Sequence, residues 1–82
     1  MDYGKIIIHY RTKNGQSLRA LAEDLNRHVK GYAFNAMTLN RMEKNLCDMP
    51  RYYLYFKQIA ESADGDLKKL AEDILAEMDK KQ

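Results

Sequence analysis

With 82 residues, about a third of them charged, and a formal charge of +2, the chain makes one small domain with a modest core, which leaves little room for a walled catalytic cavity. The charge is uneven: residues 1–45 carry eight Lys or Arg against four acids and residues 46–82 six against eight, or +4 and −2, which suits a polyanion on one face as well as an ordinary mixed surface. Cys47 is the single cysteine, His9 and His28 follow no metal-ligand spacing, and the apolar run Ile6, Ile7, Ile8 is far shorter than a membrane span, so a disulfide, a zinc site, a transmembrane helix and a signal segment are all unexpected and the chain reads as soluble, cytoplasmic and free of cofactors.

Tyr3, Ile7 and Tyr10 keep helical spacing and predict a first helix over roughly 3–13, stopped at Asn14-Gly15. Three consecutive isoleucines favour a strand by propensity, but nothing nearby offers a partner strand. Ser17 stands where an N-cap belongs, and Leu18, Leu21, Ala22, Leu25 and Val29 carry an apolar stripe to the stop at Gly31, a second helix over 17–30. Tyr32-Ala33-Phe34 read as a tight apolar turn. Asn35 caps a third helix over 36–44, on which Leu39, Met42 and Leu46 share one face while Asn40, Arg41 and Lys44 share another; Asn45 suits a left-handed end. Pro50 opens a fourth helix over 51–63 that buries Tyr52, Tyr55, Phe56, Ile59, Ala60 and Ala63. After Asp64-Gly65 a fifth, over 66–79, repeats the spacing at Leu67, Leu70, Ala71, Ile74, Leu75 and Met78. Five helices and no convincing strand make a single all-α domain over 1–82, a compact five-helix bundle whose Met and aromatic residues fill the core.

Gly4-Lys5-x-Ile7-x-x-Tyr10-Arg11, Gly15-x-Ser17 and Leu21-Ala22-x-x-Leu25, followed by Thr38-Leu39-Asn40-Arg41-Met42-Glu43, Pro50 and Ile59-Ala60, together resemble the Cro/CI (XRE) family of helix-turn-helix domains, and the likeness runs from about residue 4 to 63. What the resemblance implies is a lambda-repressor-like fold whose third helix enters the DNA major groove, in a homodimeric transcriptional repressor or regulator on a palindromic operator. Carried over residue by residue, DNA contact falls to Ser17 and Arg19 at the start of the second helix, and to Asn35, Ala36, Met37, Thr38, Asn40, Arg41 and Lys44 on the third. The family also commonly joins the positions of Arg11 and Glu43. Three departures stand out. Leu18 occupies the place of a DNA-supporting Gln. Ala36 and Met37 offer no hydrogen bond to a base. Thirteen residues separate Leu25 from Leu39, more than the family's spacing, which predicts an extended second helix and a somewhat longer turn.

No nucleophile and base stand at a catalytic spacing and no Gly-rich loop cradles phosphate, so neither an enzyme nor a small-molecule substrate is expected. The competing reading is a protein-interaction module, antitoxin-like or adaptor, that keeps the helix-turn-helix frame. Met37, Tyr53 and Leu54 in one exposed patch favour that reading; Arg19, Arg41, Lys44 and Arg51 on one face favour DNA. The long stripe of the fifth helix is either the dimer contact or the closure of the monomer core.

Overall fold

The structure, a computed structural model, describes residues 2–80, and the outermost positions of the expected 1–82 unit lie outside the described residues. Those residues form five α-helices and one short 3-10 turn, with no strand among them. The first helix, α1 (Tyr3–Asn14), starts where the Asp2 side chain accepts from the Lys5 amide and ends where Gly15, at φ 61°, turns its own amide back to the carbonyls of Arg11 and Thr12. Ile6 and Ile7 are buried, whereas Ile8 is 42% exposed. The isoleucine run is helical because two of its three side chains fill the bundle core, which outweighs their β preference.

Helix α2 (Leu18–Asn26) begins at the Ser17 cap and buries Leu21, Ala22 and Leu25. It stops four residues short of the expected end at 30, and the physical reason is Asn26. Its carboxamide oxygen accepts from the amides of Ala33 and Phe34, at 3.1 and 2.9 Å, and its nitrogen donates to the Phe34 carbonyl at 2.7 Å. A side chain that satisfies three loop backbone groups substitutes for the helical ladder beyond it. The extra residues of the Leu25-to-Leu39 interval therefore lie in a loop over 27–35. That loop is tied to the fourth helix: His28 Nδ1 lies 2.8 Å from Ser62 Oγ, and the Lys30 amide donates to Gln58 Oε1 at 3.3 Å. Phe34, at the end of the expected apolar turn, is fully buried and meets the rings of Tyr52, Tyr55 and Phe56 with centroids 5.4 to 6.1 Å away.

Helix α3 (Ala36–Glu43) has Asn35 as its cap and buries Leu39 and Met42. It ends as expected at Asn45, φ 59°, with the Leu46 amide on the Arg41 carbonyl and the Asn45 amide on Met42, the double closure of a left-handed helix end. Leu46 does not extend the buried stripe. It is 71% exposed, because the chain has already left the helix before the position that would face inward. Pro50 sits in the 3-10 turn Met49–Tyr52, so α4 (Tyr53–Ser62) starts two residues later than expected. Helix α5 (Gly65–Lys80) packs along α4 and also against α1, burying Leu70, Ala71, Ile74 and Met78. These four residues of its stripe close the monomer core, while Leu67 and Leu75 of the same stripe are half-buried.

Candidate nucleic-acid interface

Helix α3 rests on α1 and α2, and three devices set its height. A β-carbon at Gly4 would collide with the Glu43 carbonyl, so the two backbones approach as only glycine permits. The Gly4 amide donates to Asn45 Oδ1 at 3.1 Å. Arg11 then reaches Glu43 with two parallel bonds, Nε to Oε2 at 2.7 Å and Nη2 to Oε1 at 3.2 Å, and spends Nη1 on the Gln16 carbonyl at 3.2 Å. The hydrogen bond to Glu43 holds the Arg11 guanidinium above its ordinary range. One arginine thus ties the third helix to the first and to the turn that precedes α2.

With that base facing inward, the outward stripe of α3 consists of Met37, Asn40, Arg41 and Lys44, at i, i+3, i+4 and i+7. Met37, Arg41 and Lys44 are exposed and Asn40 is half-buried. One face of α2 and the start of α3 open onto a groove of about 540 Å³, walled by Arg19, Ala22, Glu23 and Asn26 along α2, by Tyr32 of the loop, and by Asn35, Ala36 and Met37. Four of the residues expected at an interface, Arg19, Asn35, Ala36 and Met37, are brought together there. Ser17 and Thr38 are occupied locally. Ser17 Oγ accepts from the Ala20 amide at 3.1 Å; the Thr38 hydroxyl donates to Asn35 Oδ1 at 3.0 Å, and that same oxygen caps the Thr38 amide at 2.7 Å.

The charges of this region sort themselves. Glu43 is paired with Arg11, and Asp24 with Arg27 at 3.2 Å. Arg19, Arg41, Lys44 and Arg51 have no ion-pair partner among the described residues. Arg41 and Arg51 both act on the Cys47 thiol, whose pKa burial nevertheless raises; the thiol donates to the Thr38 carbonyl at 3.7 Å. Of the apolar candidates, Leu54 is 70% exposed on α4, while Tyr53 is half-buried with Lys57 Nζ 6.0 Å from its ring.

Ala22, Glu23, Asn26 and Tyr32 also line the groove and are not among the expected contacts. Tyr32 was assigned to an apolar turn, yet it is 78% exposed. The identity of Tyr32 carries no signal, because what exposes it is the loop geometry that Asn26 imposes. Among the described residues no cluster of His, Cys, Asp or Glu has the makings of a metal site, and no helix is long and apolar enough to cross a membrane. Compared with models of protein families, with curated proteins and with solved structures, the chain matches none.

Proposed function

We propose that this chain binds double-stranded DNA sequence-specifically, as a cytoplasmic transcriptional regulator of repressor type whose helix α3 enters the major groove, two protomers sharing a palindromic site. One observation carries the reading: the capped start of α3 lines a groove together with a face of α2, beside an outward stripe of α3 whose cations have no ion-pair partner among the described residues. Helix starts present free amides and partial positive charge to phosphate, and an α-helix of this exposure fits the major groove, where its first residues meet base edges. The sequence resemblance to the Cro/CI pattern supports it, as does the Arg11–Glu43 pair at positions which that family commonly joins.

Asn40 has the donor and acceptor that an adenine edge requires, and Arg41 the fork for guanine or phosphate. Lys44, at the far end, suits a phosphate. Binding to a random-sequence duplex pool, followed by selection of a preferred site, tests the proposal. On the selected duplex Asn40→Ala should cost about 1 to 3 kcal/mol and relax preference at one position, whereas Lys44→Ala should weaken all sequences alike and lower the salt slope by about one. A folded wild-type protein that ignores duplex DNA at low salt sinks the proposal. The second reading, a protein-interaction module, draws on one observation: Tyr32 at 78% and Met37 at 65% exposure put apolar surface on the same groove.

A further inference from the structure

We propose that Tyr32 is a DNA-backbone contact, its hydroxyl donating to a phosphate and its ring lying against the adjacent deoxyribose, with Arg19 across the groove taking the neighbouring phosphate. The inference rests on the DNA-binding reading above and adds to it a residue of the loop that joins α2 to α3. Tyr32 lines the same groove as Arg19, Asn35 and Met37. It is the most exposed of the large apolar side chains among the described residues. Its loop is nevertheless pinned on both sides: Lys30 to Gln58 and His28 to Ser62 before it, and Ala33 and Phe34 to Asn26 after it, with Phe34 fully buried. Gly31, at φ 83°, turns the chain immediately ahead of it.

A loop held this firmly places its one exposed ring with little left to order on binding, which is what a preorganised contact requires. The occupant follows from charge and chemistry. Arg19 has no ion-pair partner among the described residues, and the exposed Arg41 and Lys44 add two more such cations farther along the outward stripe of α3. Tyrosine hydroxyls and arginine are both ordinary phosphate donors, and they position a protein without reading sequence. Glu23 also lines the groove, and its carboxylate repels phosphate from its own part of the wall.

The test is fluorescence anisotropy with a labelled random-sequence duplex pool across a salt series, using the full chain. Tyr32→Ala should weaken binding about tenfold at every salt concentration, because a tyrosine releases no counterion, and Tyr32→Phe should fall between it and wild type. Arg19→Ala should instead flatten the salt slope by about 0.9, and Glu23→Gln should tighten binding. Circular dichroism melting of Tyr32→Ala should match wild type, since the side chain lies outside the core. Wild-type binding with Tyr32→Ala indistinguishable from it overturns the inference and leaves the DNA-binding reading standing. No binding by wild type overturns that reading and the inference with it, and transfer of the Tyr32 effect to a captured peptide in that case assigns the groove to a protein.

Discussion

The side chain of Glu43 is only 9% exposed and that of Arg11 28%, so this pair behaves differently from the exposed pairs Lys13–Asp66 and Lys69–Asp73, which contribute little. Arg11→Met leaves a carboxylate largely shut off from water without its partner, at a cost of about 3 kcal/mol. In a domain of this size that lowers the melting temperature by about 15 °C, measured by calorimetry. Glu43→Gln should lose less, because a neutral amide needs no counter-charge. Gly4→Ala should destabilise by a similar amount for a steric reason, since α1 must then retreat from the Glu43 carbonyl. Burial raises the Tyr10 phenol, with Asp24 and Asp66 adding to the effect, and burial followed by Glu77 raises Tyr3. A raised phenol favours the neutral form in the folded chain, so its stabilisation is complete below the ordinary value near 10 and is lost as pH climbs through the folded value. Urea midpoints followed upward from about pH 9 should fall, and should fall less in Tyr10→Phe.

At the scale of elements, the loop over 27–35 is the departure that matters most. An extended helix would have carried Arg27, His28 and Lys30 away from the α3 start as a rigid rod. The observed loop folds back, buries Phe34 among Tyr52, Tyr55 and Phe56, and sets Asn35 at the α3 N-terminus. Asn26→Ala removes the partner of two amides and one carbonyl, a loss of about 2 kcal/mol by chemical denaturation. Phe34→Ala should cost about 3 to 5 kcal/mol, because it hollows the aromatic cluster. If the loop presents the groove as proposed, Asn26→Ala should also weaken duplex binding beyond any loss from partial unfolding, and hydrogen exchange at residues 30–34 should speed up while exchange in α5 does not.

The whole molecule measures 29 × 24 × 22 Å with a radius of gyration of 11.3 Å. Because Leu70, Ala71, Ile74 and Met78 of α5 are spent on the monomer core, the pairing proposed above would lack a large apolar interface of helix-five origin. Half-sites one helical turn apart lie about 34 Å from each other, which brings molecules of this width only edge to edge. Sedimentation of the protein alone should therefore show single protomers, and the selected duplex should recruit two cooperatively. One protomer per full site would contradict the paired arrangement; a stable dimer without DNA would mean that another exposed patch, such as Leu54 or Ile8, provides the contact.

By itself the sequence determined the helical class, the five segments, the caps Ser17 and Asn35, the left-handed ends at Gly15 and Asn45, and most of the buried stripes. All of these follow from local rules, spacing along a helix and the conformational preferences of single residues. Val29 fits the spacing of a longer α2, and periodicity alone could not reveal that Asn26 satisfies the amides of residues seven and eight places ahead of it. Nor could it reveal that Gly4 lies under the Glu43 carbonyl, or that the apolar stripe of α5 is covered by α1 and α4. Whether an apolar side chain is buried or offered to a partner depends on which surfaces the rest of the chain brings to it. For Phe34, Leu46 and Tyr32, similar apolar residues with opposite fates, only the tertiary structure decided.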